Sequence, residues 1–94
     1  MKVAGQRFSI VGMGKSGLSA ARALIKRGGD CLLSDNRDDE ELRKISKEFE
    51  GKAKVVLGKE VVRDGDIAVL SPGISPDCEI FRVASKVASE VIGE

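Results

Sequence analysis

The feature that most constrains this chain is a glycine turn set between an apolar run and a run of small residues. Phe8-Ser9-Ile10-Val11 is short, apolar and stops at Gly12, which predicts a buried parallel strand. Gly12-Met13-Gly14-Lys15-Ser16-Gly17 then fits G-x-G-x-x-G, the turn that brings backbone close to a pyrophosphate in dinucleotide-binding folds. After it Gly17, Ala20, Ala21, Leu24 and Ile25 repeat at helical spacing, small enough for the helix to approach a sheet closely. Ser16 is expected to begin or cap this helix, Lys26 and Arg27 suit its last turn, and Gly28 is placed to end it. Gly14-Lys15-Ser16 also ends like a triphosphate loop, but that motif needs a glycine where this chain has Ser9.

The rest of the chain repeats the alternation. Cys31-Leu32-Leu33-Ser34 predicts a second strand, ending at Asp35-Asn36-Arg37. A helix is expected after it, with Asp38 as cap, Glu41 three residues on, and Leu42, Ile45 and Phe49 facing inward. Lys54–Leu57, closed by Gly58, predicts the third strand, followed over 59–64 by a turn of helix or none. Asp66–Leu70 predicts the fourth, running into Ser71-Pro72-Gly73-Ile74. Ser75-Pro76-Asp77 suits the start of a last helix that buries Ile80, Phe81, Ala84 and Val87, and Val91-Ile92 closes the chain as a short strand before Gly93-Glu94. This pattern implies right-handed βαβ units. The expected fold is a three-layer, Rossmann-like α/β domain with a parallel sheet of about five strands in the order 3-2-1-4-5, occupying residues 1–94 as a single domain.

Composition narrows the function classes. Sixteen Lys and Arg against 15 Asp and Glu give a formal charge of +1 with the signs interspersed, which supplies no field for nucleic acid or an anionic membrane. There is no histidine, and Cys31 and Cys78 lie far apart without metal spacing, so two free thiols in a reducing compartment are expected. No apolar run approaches the ~20 residues of a membrane span, and no signal peptide is visible. A cytoplasmic protein that binds nucleic acid neither by charge nor by motif is the expectation.

In a sheet of this kind the ligand crevice lies beyond the carboxyl ends of the strands, where the strand order reverses. Three segments are expected there. Gly12–Gly17 offers backbone N–H groups and a helix N-terminus to an anion; Lys15 adds charge or points into water, and Ser16 caps the helix or bonds a phosphate. Asp35 lies near the ~20-residue spacing at which an acidic residue accepts ribose hydroxyls, but a carboxylate there can equally accept the imide N–H of a uracil. Residue chemistry leaves both open. Arg37 can pair with an anion or lie solvated over the next helix, and the acidic run Asp38–Glu41 is accounted for by capping. Ser71-Pro72-Gly73 is either a plain turn or a place where the Gly73 N–H faces whatever lies on the first loop.

Taken in order, "GMGKSGLSAARAL", "SDNR", "VVLGK", "LSPGISPD" and a terminal "VIGE" resemble the amino-terminal domain of the UDP-N-acetylmuramoyl-L-alanine:D-glutamate ligases of the Mur ligase family, across essentially the whole chain from Phe8. The ligases acting one step earlier, which add L-alanine, look more like G-G-S-G in the first loop, so Lys15 argues against them. The resemblance implies a domain that grips the UDP portion of UDP-N-acetylmuramoyl-L-alanine in peptidoglycan precursor synthesis. The backbone around Lys15 and Ser16, with the Ser16 hydroxyl, would hold the pyrophosphate together with Gly73, and Gly12, Gly14, Gly17, Ser71 and Pro72 would belong to the same substrate site. Asp35 and Asn36 would read the uracil edge, with Arg37 beside it and Met13 against the ligand. Position 36 is often a hydroxyl residue in relatives, where Asn36 offers an amide donor. Relatives also carry a glycine between the last helix and strand, where this chain has Lys86-Val87-Ala88-Ser89-Glu90.

The resembling enzymes are ATP-dependent, ADP-forming amide ligases whose central domain binds ATP and Mg and whose carboxy-terminal domain helps bind D-glutamate. Both are absent from these residues, so the chain is expected to need no cofactor of its own and to be catalytically silent alone, the missing domains being its partners. Two other readings stand beside this one: an NAD-binding module of an oxidoreductase, which would prefer NAD over UDP, and a structural domain, which would bind neither.

Overall fold

The structure is a computed structural model and describes residues 2–92. Strand β1 (Arg7–Val11) is followed by helix α1 (Lys15–Lys26), β2 (Asp30–Asp35), α2 (Glu40–Ser46) running into a 3-10 turn (Lys47–Phe49), β3 (Lys54–Leu57), β4 (Ile67–Leu70), α3 (Glu79–Val87) and β5 (Glu90–Ile92). All neighbouring strands pair in parallel, in the order β3-β2-β1-β4-β5, so the expected Rossmann-like three-layer architecture is present. The Gly93-Glu94 close of the chain lies outside the described residues.

Alternation along the strands builds two cores. Phe8, Ile10, Cys31, Leu33 and Ile67 face one side, where they pack with Leu18 and Ala21 of α1, Leu42 of α2 and Phe49. Val11, Ala68 and Leu70 face the other, against Ile80 and Ala84 of α3. The inward stripe of α1 is centred on Gly17, Leu18 and Ala21, so Leu18, absent from the expected face, is one of its anchors.

Several local expectations are corrected. The cap of α1 is Gly14, in extended backbone and without a side-chain bond, and Ser16 is already helical. The cap of α2 is Asp39, whose carboxylate accepts the Leu42 N–H at 2.8 Å, while Asp38 is drawn into an ion pair with Arg43. Ser75-Pro76-Asp77 does not begin α3. It forms a turn closed by Cys78 N–H to Ser75 O at 2.9 Å, and the helix starts later, at Glu79 with Cys78 as its cap. At its other end α3 needs no glycine: Ala88 goes directly to extended backbone, and the Val87 carbonyl accepts the Gly65 N–H at 2.7 Å.

The crossover from β3 to β4 carries no helix. Residues 59–63 instead run as a strap under the sheet and turn at Asp64-Gly65 toward β4, held by polar side chains of the strands. Ser34 Oγ accepts the Val61 N–H and Ser9 Oγ the Arg63 N–H, each at 2.9 Å. Asp66, fully buried rather than part of β4, takes the Ser9 hydroxyl at 2.8 Å and the Arg63 guanidinium at 2.5 Å on Oδ2. Its Oδ1 lies 3.1 Å from Arg7 Nε, an ion pair without hydrogen-bonding geometry. Arg63 further donates to the carbonyls of Phe8 and Asp30, which ties the strap to β1 and β2 at the edge of the sheet opposite the glycine turn.

Candidate functional site

β1 is flanked by β2 on one side and β4 on the other, so the strand order reverses across it and the loops after these three strands meet at one edge. The first loop is stitched to both neighbours: Gly12 N–H donates to Ser34 O at 2.8 Å, and Ser71 N–H to Val11 O at 3.1 Å.

The three glycines of the turn do different work. Gly12 sits at φ +100°, and a Cβ there would stand 2.8 Å from the Ser71 Cβ, so it serves the tight turn. A Cβ on Gly17 would lie 1.9 Å from the Gly12 carbonyl oxygen, because α1 leaves the turn pressed against it. A Cβ on Gly14 would meet no atom within 4 Å. The middle glycine thus opens the backbone to a ligand, the division of labour that phosphate-binding turns of this class require. The first bond of the helix runs from Leu18 N–H to Gly14 O at 2.9 Å, which leaves the N–H groups of Lys15, Ser16 and Gly17 ahead of it, at the positive end of the helix dipole. Lys15 and Ser16 are exposed. The Met13 side chain, expected against the ligand, is instead buried in the core below the turn, which leaves its backbone at this edge.

Across from this turn, Ile74 N–H to Ser71 O at 3.0 Å closes a four-residue turn with Pro72 and Gly73 at its centre. Gly73 has no positive φ, and a Cβ there would meet nothing within 4 Å, so neither strain nor crowding within the domain requires glycine at this position. A cleft of about 60 Å³ lies beside these turns, between the start of α1 (Ser16, Gly17 and Ala20) and the strand ends at Leu70 and Ile92, and neither Gly14 nor Gly73 lines it.

Asp35 completes the edge. It is nearly buried, and both oxygens are engaged: Oδ2 accepts the Met13 N–H and Oδ1 the Arg37 N–H, each at 2.9 Å, with the Arg37 guanidinium lying across both. Burial pushes the carboxyl pKa up, but the bonds from Arg37 and Met13 outweigh it and hold it below the ordinary carboxylate range. Gly58, at φ +90°, donates to the carbonyls of both Asp35 and Arg37, so the loop after β3 supports the loop after β2. Asn36 is exposed beside them. The structure therefore brings all twelve residues singled out in the sequence to one edge of the sheet. The bonding of Asp35 to Met13 was not foreseen from sequence; Asp35 following an apolar strand at the fingerprint spacing was its only signal.

The sequence model of the family described as Mur ligase MurD-like, N-terminal domain, matches residues 6–93. The chain belongs to this family. MurD-like relatives include the UDP-N-acetylmuramoylalanine–D-glutamate ligases of Thermobifida fusca (35% identical over 97 residues) and Koribacter versatilis (35% over 98), each covering all of this chain. The same is true of the ligase of that name from Lachnoclostridium phytofermentans, at 31% over 99 residues. The chain spans only about a fifth of the length of these relatives, 21% of the first and 22% of the other two. Among solved structures, L-tryptophan dehydrogenase from Nostoc punctiforme superposes over 98% of this chain and 26% of its own with a TM-score of 0.70 at 18% identity, a likeness of fold alone. Among the described residues of this MurD-like domain no three His, Cys, Asp or Glu side chains gather where a metal ion could be held, and no helix is long and apolar enough to cross a membrane. Ser9 in place of the first glycine of a triphosphate loop, together with that donor set, does not fit ATP and Mg on this domain.

Proposed function

We propose that this domain binds the UDP moiety of UDP-N-acetylmuramoyl-L-alanine within an ATP-dependent ligase that adds D-glutamate during peptidoglycan precursor synthesis. The observation that carries the reading is the openness of Gly14 and Gly73, on the turns after β1 and β4, where an added Cβ would meet no atom within 4 Å and a diphosphate can approach the backbone. Lys15 and Ser16 add a cation and a hydroxyl at the same end of α1, and Gly12 and Gly17 hold the turn in shape. Ser71 and Pro72 form the opposite wall. Asp35, anionic and nearly buried at the end of β2, is the acceptor for a uracil imide N–H, with Asn36 and Arg37 beside it. Met13 supports the turn from the core.

The chemistry of the full enzyme belongs to domains outside these residues, where ATP and Mg would be bound and from which this domain would receive its partners. The 94-residue chain alone should turn over nothing. Its two cysteines are free, which suits the cytoplasm as its compartment. Titration with UDP and with NAD, followed by amide chemical shifts, tests the assignment. UDP is expected to move Lys15, Ser16, Asp35 and Gly73 while NAD at equal concentration does not; a stronger response of the same amides to NAD would replace it with a dinucleotide-binding reading.

A further inference from the structure

Four hydrogen bonds converge on the Asp35 carboxylate, as many as its lone pairs accommodate. Two come from the backbone N–H groups of Met13 and Arg37 and fix the loops on either side. The other two differ in kind. Arg37 Nε lies 3.2 Å from Oδ1 and Nη2 3.3 Å from Oδ2, a guanidinium fork spread over both oxygens by a side chain that is 56% exposed, against a carboxylate that is 7% exposed. The backbone bonds are part of the fold, whereas the fork rests on Asp35 from the solvent side. Any ligand N–H that is to reach this carboxylate must take the place of the fork.

We infer that Arg37 is a displaceable occupant of the base-reading position. Its guanidinium caps Asp35 until a uracil imide N–H takes its place, so that only a base edge with a donor at that point gains access. This rests on the uridine-binding reading above. The displaced side chain stays beside an acidic helix start, since Asp39 caps α2 and Glu40 and Glu41 form its first turn. The exchange also sets a selectivity. A cytosine presents an acceptor where uracil presents its imide N–H, and an acceptor cannot replace a guanidinium on a carboxylate.

The test uses uridine, which has no phosphate and so isolates the base end, beside UDP, on the wild-type domain and on Arg37→Met, which keeps the apolar stem and removes the fork. An exposed ion pair of this kind is worth up to about fivefold in an equilibrium, so uridine affinity should rise about two- to fivefold in the variant. The wild-type Arg37 Nε–H resonance should shift as uridine saturates the site. Cytidine should do neither. Unchanged or weaker uridine binding in a folded Arg37→Met domain that still responds to UDP at Lys15 and Ser16 would overturn the occupant role and leave the phosphate cradle standing. A wild-type Nε–H that stays unmoved at saturating uridine would do the same without any variant. No response of either protein to UDP or uridine would remove the uridine reading itself.

Discussion

Gly17→Ala should weaken the fold although it replaces a poor helix former with the best. The added Cβ would stand 1.9 Å from the Gly12 carbonyl oxygen, where carbon and carbonyl oxygen settle at about 3.3–3.6 Å. Helix α1 must therefore withdraw by roughly 1.4 Å, or the Gly12 peptide must rotate. Both are resisted. Gly12 is held by its bond to Ser34 O and by its φ of +100°, and the neighbours of Gly17 on the inner face, Leu18 and Ala21, are locked in the core. Overpacking against backbone belongs at the upper end of the usual range, about 3 kcal/mol, and the gain in helix propensity offsets about 1 kcal/mol of it. The net loss of about 2 kcal/mol corresponds to a fall of roughly 8–16 °C in Tm for a domain of this size, without abolishing folding. Gly14→Ala is the matched control: its Cβ meets nothing, and the poorer cap should cost under about 1 kcal/mol. Urea unfolding of the three proteins by circular dichroism, with equal m-values, measures both. A Gly17→Ala midpoint equal to or above that of Gly14→Ala would refute the claim that the third glycine is required by helix packing.

Gly73→Ala should leave the unfolding midpoint within about 0.5 kcal/mol of wild type, since its backbone is unstrained and its surroundings open, yet lower the ratio of UDP to uridine affinity about tenfold if its N–H meets the diphosphate. An unchanged ratio by titration calorimetry would reduce Gly73 to turn-making. Arg63→Met should destabilise by about 3 kcal/mol in urea, because it leaves the buried Asp66 carboxylate with Ser9 and an obliquely placed Arg7; a loss below about 1 kcal/mol would mean that Arg7 suffices. Because the folded pKa of Asp35 is depressed, its contribution is complete above the unfolded value near pH 4 and is lost as pH falls through the lower folded value. Urea melts between about pH 6 and 2.5 should accordingly show a shallower acid loss in Arg37→Met than in wild type, and parallel curves would count against the pairing.

Much of this domain was legible because its signals are local and periodic. Leu42, Ile45 and Phe49 announce a helix face, Lys54–Leu57 is a strand on any reading, and the spacing of the three glycines fixes which of them must be small. The misread boundaries fall where one signal serves two structures. Asp38 and Asp39 are both good cap residues and only Asp38 has a Glu three positions on, yet the cap fell to Asp39, which takes the Leu42 N–H while Arg43 occupies Asp38. Ser75-Pro76 suits a helix start and a β-turn equally, and the turn prevailed because Cys78 N–H is spent on Ser75 O. At the candidate site, positions were readable but partners were not. That Asp35 would be filled by Met13 N–H and by its own neighbour Arg37 depends on how closely the first loop passes the end of β2, a distance no residue type encodes.

Ser9 and Ser34 hold a lesson for anyone who would redesign this sheet. By strand propensity they are weak choices among the buried positions of β1 and β2, and a stabilisation scheme would replace both with valine. Each hydroxyl, however, is where a backbone N–H of the strap comes to rest, at Val61 and at Arg63. Valine would fill the space and strand those amides, at about 1–3 kcal/mol apiece. The two positions that look most improvable in the sheet are the ones through which its two halves are laced together.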